Sequence, residues 1–322
     1  MKNRLRLIIL FTLSQVVLPV QGQNINSGYL AAQVMMANVG LSTSSHVDQP
    51  MDQPMDQQVD QAVVEQQSSV DEYDVVRVKL EHSQLGTTRL LLKGPRGFFH
   101  NQDQSLRAMM IVSGFFTGDQ SIMLLGSIPK TVLVGFEYPF QVEDFQNNPS
   151  TILQFVRLTP GQIALALHWL ASRTWINPDR LSVMGVSLGG VFLPSAVNIC
   201  QLMGVTFEKI IFVGTGADIN SILKFNLNQY FSKNQSALDF VVGLMQAPML
   251  LADPVLHLPL LKGSFLIVQS DQDTVIPRES QKMLFDHLQN PKSEMIIPGP
   301  HINSDQTEMI QKIQQIVLQS FE

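Results

Sequence analysis

The hexapeptide Gly185-Val186-Ser187-Leu188-Gly189-Gly190 follows an apolar run, Leu181 to Met184, and precedes a helical pattern. A serine on a tight strand-to-helix turn is lifted clear of the strand end. It sits beside a helix N-terminus, whose free N–H groups and positive dipole favour developing negative charge. Small residues must flank such a serine, because strand and helix crowd together there. A serine hydroxyl is a poor nucleophile at neutral pH and needs a base. The chain has seven histidines. His46 lies in a low-complexity stretch, His82 and His100 precede most of the strand pattern, and His168 and His287 fall within helical patterns. His257 lies among apolar residues. His301 differs: it follows the strand-like Ser293 to Ile297 in the loop Pro298-Gly299-Pro300-His301, just before the last helical pattern. A loop after a late strand carries its side chain to the carboxyl edge of a sheet, where Ser187 also points. The imidazole needs a carboxylate to fix its tautomer. Asp271 and Asp273 both follow the strand-like Phe265 to Val268, and spacing alone leaves both open.

Acyl chemistry also needs donors for an oxyanion. One is expected from the backbone N–H of Leu188, the residue after the serine. The second is expected from the loop after an early strand, Ser113-Gly114-Phe115-Phe116-Thr117-Gly118, with the N–H of Phe115 as the candidate.

The elements that must position these groups are legible as patterns. Asp74 to Leu80 alternates apolar and charged residues, with Thr87 to Leu92 as its partner, as half-buried antiparallel strands do. Short continuous apolar runs follow at 108–112, 132–136, 181–184, 210–213 and 265–268, the mark of parallel strands covered on both faces. Helical patterns lie between and after them: from Thr159-Pro160-Gly161 to about Arg173, Leu188 to Met203, Glu279 to Leu288, and Asp305 to Ser320. The alternation predicts a doubly wound α/β domain. The connection from about 219 to 262 is too long for one crossover. Its apolar helical content predicts either a small cap over the carboxyl edge or a lengthened flank.

The resemblance carried by these residues is to the α/β-hydrolase superfamily, in its dienelactone-hydrolase and prolyl-oligopeptidase-like esterase branch. Asn177-Pro178-Asp179-Arg180, leading through Leu181 to Met184 into Gly185 to Gly190, resembles the branch's segment around the nucleophile. Asp253-Pro254 before the strand at Phe265 resembles the approach to its acid strand. Asp273-Thr274-Val275-Ile276-Pro277 resembles its acid loop. The resemblance implies an α/β-hydrolase fold: a mostly parallel central sheet, helices on both faces, and a small helical cap. It selects Asp273 over Asp271 and gives the order Ser187, Asp273, His301. It also implies hydrolysis of a small-molecule carboxylic ester through an acyl-enzyme, without cofactor or metal. Where many relatives have His-Gly, this chain has Ser113-Gly114, which puts the support of that loop in question. A serine peptidase of the oligopeptidase type is the alternative enzyme. A non-catalytic surface protein on a hydrolase scaffold is the alternative class.

The chain has 322 residues, 45% of them hydrophobic and 15% charged, with a net charge of −6. That supports a large core and offers no basic block for nucleic acid. The single cysteine, Cys200, excludes an internal disulfide and any Cys₄ or Cys₂His₂ zinc site. Lys2, Arg4 and Arg6 precede a short apolar stretch, Leu7 to Val20, so residues 1–22 are expected to be a secretory signal. The protein is then exported, periplasmic or secreted, with only transient membrane contact through that signal. Residues 23–72 contain a Met-Asp-Gln-Pro-like repeat and almost no aromatics, and are expected to be a disordered Gln/Asp-rich linker. Removing residues 24–67 is expected to leave folding nearly intact. The hydrolase domain is expected over 73–322.

Overall fold

The computed structural model of the chain describes residues 31–36, 61–100, 105–114, 116–140, 144, 148, 151–231 and 234–321. The expected signal segment, 1–22, lies outside the described residues. Nine strands form one sheet in the order β1-β2-β3-β5-β4-β6-β7-β8-β9. They are β1 Gln61–Val70, β2 Tyr73–His82, β3 Gly86–Pro95, β4 Leu106–Val112, β5 Thr131–Glu137, β6 Ile176–Val186, β7 Lys209–Val213, β8 Phe265–Ser270 and β9 Lys292–Ile297. The pairs β1-β2, β2-β3 and β3-β5 are antiparallel, and every pair from β5 to β9 is parallel.

The period of two in each strand divides the core into two layers. Met110, Val112, Val183 and Phe212 pack with α1 (Thr151–Ala171), α2 (Leu188–Leu202) and Leu284 of α5 (Arg278–His287) on one face. Met109, Ile111, Met184 and Val213 face the other way, against Ile313, Ile316 and Val317 of α6 (Thr307–Gln319) and against Ile122, Leu125 and Ile128. Both layers are needed because the central strands are apolar on both sides.

Three expectations need correction. The domain begins before residue 73. β1 pairs with β2 from Gln61↔Glu81 to Val70↔Tyr73, and residues 31–36 are helical, with Ala32, Met35 and Met36 buried in the same core cluster as Val76 and Leu90. Almost all β1 side chains are exposed. The strand is therefore held by backbone ladder bonds, with Arg89 and Glu65 as one cross-link, and composition does not report such bonds. Removing 24–67 would thus cut into the core. The rest of the expected linker lies outside the described residues.

The helix expected to open at Thr159-Pro160 opens at Thr151, and Pro160 sits in its interior. Pro160 has no N–H to donate to the Val156 carbonyl, and the neighbouring Thr159 hydroxyl donates to the Phe155 carbonyl at 2.6 Å. The long connection, lastly, is both cap and flank. α3 (Ile219–Phe231) and α4 (Gln235–Gln246) pack on each other, and α3 reaches the loop after β8. The turns from Ala247 to Leu260 return across α1 and α2, where Ala252 and Leu258 join the core.

Candidate active site

The site is assembled where β4, β6, β8 and β9 end. Ser187 joins β6 to α2 with φ 53° and ψ −120°, a backbone region that costs a non-glycine residue about 1–3 kcal/mol. Its surroundings hold it there. The Ser187 N–H donates to the Val213 carbonyl at 2.9 Å. The glycines explain the close approach. A Cβ on Gly189 would lie 1.9 Å from the Val112 oxygen, and one on Gly190 would lie 2.6 Å from the Thr215 Cβ. The first turn of α2 therefore rests directly on the end of β4, where the candidate oxyanion loop begins.

His301 lies beyond β9 and Asp273 beyond β8. The Ser187 Oγ is 2.8 Å from His301 Nε2, and His301 Nδ1 is 2.8 Å from Asp273 Oδ2. The other carboxylate oxygen, Asp273 Oδ1, accepts from the N–H groups of Val275 and Ile276, both at 2.8 Å. The Asp273 side chain is only 1% exposed. Burial pushes its carboxyl up, but the His301 bond and the two backbone donors outweigh that and hold it below the usual carboxylate range. Asp271 has a different role: its Oδ1 accepts the Gly299 N–H at 2.9 Å and braces the loop that carries His301. Of the other histidines, His257 is buried, with Nδ1 3.1 Å from Asn198 Nδ2 and Nε2 near the Leu251 carbonyl.

The loop after β4 is supported without the relatives' histidine. The Ser113 Oγ donates to the Gly118 carbonyl at 2.7 Å, and the Tyr138 hydroxyl donates to the Ser113 carbonyl at 2.8 Å. Burial drives the Tyr138 hydroxyl well above the usual phenol range, so it remains a donor. Leu188 is the first residue of α2 and borders the same cavity as Ser187. Phe115, the other oxyanion candidate, lies outside the described residues. Two supporting groups carried no local signal in the sequence. One is Tyr138. The other is Asn226 of α3, whose amide donates to the Val275 carbonyl at 2.7 Å and so props the acid loop. Both act across long sequence separations.

A cavity of about 480 Å³ opens at Ser187 and His301. It runs inward along the sheet face covered by α6, over Ile111, Met184 and Val213. Among the described residues, none of those that line it comes from 219–262. Among the described residues, no three His, Cys, Asp or Glu side chains are grouped so as to hold a metal ion.

No family model and no curated protein matches the chain. Solved structures do match. Acetyl xylan esterase 1 from Thermoanaerobacterium sp. JW/SL YS485 aligns over 91% of this chain and 93% of its own, with TM-score 0.62 and 11% identity. The acetyl xylan esterase from Paenibacillus sp. R4 aligns over 92% and 96%, with TM-score 0.62 and 13% identity. A puromycin-hydrolyzing peptidase of Mycobacterium tuberculosis aligns over 79% of this chain and 46% of its own, with TM-score 0.52 and 13% identity. At such identities the likeness is one of architecture, shared with esterases and with a peptidase alike. The strand order, the helices on both faces and these structural neighbours together give the chain the α/β-hydrolase fold.

Proposed function

We propose that the protein is an exported serine hydrolase that cleaves carboxylic esters through an acyl-enzyme on Ser187. The observation that carries this reading is the continuous hydrogen-bond chain from Ser187 through His301 to buried Asp273, at the mouth of an apolar cavity. Asp273 accepts a hydrogen bond from the Nδ1–H group, which leaves the Nε2 lone pair facing the serine hydroxyl. Ser187 Oγ attacks the ester carbonyl while His301 Nε2 takes its proton. The N–H groups of Leu188 and Phe115 are assigned to the oxyanion. Collapse breaks the bond to the alcohol oxygen, which receives the proton from His301 and leaves. Water then attacks the acyl-serine by the same proton route, releasing the acid and restoring Ser187. A connected triad weighs against a purely structural role for the scaffold. The basic and apolar pattern of residues 2–20 supports placing the enzyme outside the cytoplasm.

A fluorophosphonate probe tests the reading. The protein should be labelled at Ser187 and should hydrolyse a short activated ester, and Ser187→Ala should lose both properties while staying folded by circular dichroism. Full activity in Ser187→Ala would remove the mechanism.

A further inference from the structure

We infer that the cavity beside Ser187 holds the acyl part of the substrate, and that the enzyme prefers esters of medium-length hydrophobic acids over acetyl esters of sugars. The inference rests on the hydrolase reading and adds its substrate class. The inner end of the cavity is built from Ile111, Leu125, Met184, Val213, Ile310 and Ile313. All six are buried. Among the described residues, no Asp, Glu, Lys or Arg lines the space.

Three of the polar side chains in the lining already bond within the protein. The Ser113 and Ser121 hydroxyls both donate to the Gly118 carbonyl, and the Asn303 Oδ1 accepts from the Ser304 N–H. A sugar lodged at the inner end would set its hydroxyls against the six apolar side chains there, which offer no partner, and each unpaired polar group buried there is costly. An acetyl group carries a single methyl beyond its carbonyl and would leave most of the apolar lining of a 480 Å³ cavity without contact. A hydrocarbon chain fills it with apolar contact.

The depth of the cavity also decides which half of the ester enters. The alcohol must depart before water can attack, and a group lodged among the buried side chains of the inner end would have to pass the acyl-serine to leave. The acyl half stays covalently attached through that exchange, so it suits the buried end. The alcohol half is left to the outer rim, where Phe116 is 83% exposed.

The experiment is a series of p-nitrophenyl esters from acetyl to dodecanoyl on the full chain, with the leaving group constant. kcat/KM should rise by about fourfold per added methylene, equivalent to ~0.8 kcal/mol of burial, until the cavity is full, and then fall. Ile313→Trp should place bulk in the inner end and lower the octanoyl-to-acetyl ratio of kcat/KM at least about tenfold, as overfilled pockets reject long chains. Should that variant fail to fold, Leu125→Phe narrows the same space and is read by the same ratio. A wild-type maximum at acetyl, with loss from propionyl onward, would overturn the acyl-pocket inference and leave the hydrolase standing. An octanoyl-to-acetyl ratio unchanged in a folded variant would equally overturn it. Absence of both turnover and fluorophosphonate labelling would remove the hydrolase reading and the inference with it.

Discussion

Asp273→Asn is the perturbation whose outcome follows most directly from the geometry. Two backbone donors, the Val275 and Ile276 N–H groups, face Asp273 Oδ1 at 2.8 Å. An amide at this position must offer its carbonyl oxygen to them. Turning the amide over would set an NH₂ against two N–H groups and lose two hydrogen bonds, about 1 kcal/mol each before any repulsion. The flipped form would therefore be populated at no more than about 3%, since 1.4 kcal/mol is a factor of ten. With the carbonyl so fixed, the amide NH₂ faces His301 Nδ1, which now accepts. Nε2 must then carry the ring proton and point it at Ser187, and the base is lost. In a comparable triad this tautomer error costs about 10⁴ in turnover, or ~5 kcal/mol of barrier. Asp271→Asn is the control. Its Oδ1 receives one N–H, from Gly299, and an asparagine carbonyl can receive it equally well, so kcat/KM should stay within about tenfold of wild type. The assay is kcat/KM on a short activated ester, with circular dichroism to establish folding. A folded Asp273→Asn within tenfold of wild type would refute the tautomer argument. If Asp271→Asn proves the crippled variant, the assignment of the acid fails while the serine chemistry stands.

Two stability predictions follow from buried groups away from the triad. Burial pushes His257 down from 6.5 to about 4, against the Leu251 carbonyl bond that raises it. Its folded pKa is depressed, so stability present above pH 6.5 is lost as pH falls through 4, by about 3 kcal/mol at 1.36 kcal/mol per unit. Burial pushes Asp253 the other way, from 3.8 to about 6, so its contribution is present below 3.8 and lost as pH rises through 6. The two offset each other in wild type. Urea titrations at pH 4.5 and 7 should therefore show His257→Gln gaining stability on acidification relative to wild type, and Asp253→Asn losing it; parallel pH curves for all three proteins would count against this assignment. At the other end of the chain, Met36→Ala should cost about 2–5 kcal/mol, because Met36 is buried in the core cluster, whereas Val34→Ser at a partly exposed position should cost under about 0.5 kcal/mol. Equal melting temperatures for the two variants would mean that residues 31–36 do not dock.

The central sheet was legible because burial on both faces writes continuous apolar runs. Val132 to Phe136 and Ile210 to Val213 are read as strands and lie within strands. The half-buried alternation of Asp74 to Leu80 likewise marks β2. The three residues singled out for chemistry are those the fold brings within hydrogen-bond distance, although the choice of Asp273 over Asp271 came from family resemblance and not from spacing. β1 escaped notice for a physical reason: a strand that buries almost no side chain carries no hydrophobic period, and its stability lies in backbone bonds to β2. The start of α1 is not legible, because proline at a first helical turn and proline inside a helix look alike when the preceding residues are apolar. Tyr138 and Asn226 were invisible for a third reason. Each reaches a carbonyl, at Ser113 or Val275, in a segment distant in the chain, and such contacts depend on topology.

The Ile219 N–H donates to Asp253 Oδ2 across 34 residues of chain, so the excursion through α3 and α4 leaves and rejoins the body at one point. A segment whose ends already meet can change length at small entropic cost, roughly 0.6 kcal/mol for each doubling of a flexible loop. In engineering terms the excursion is a cassette. It can be shortened, or exchanged for a longer one, without altering the sheet register or the cavity under α6, which none of its described residues lines. A graft must keep the turns from Ala247 to Ala252 that pack on α1 and α2, and must restore the Asn226 amide on the Val275 carbonyl, since Val275 also supplies an N–H to Asp273.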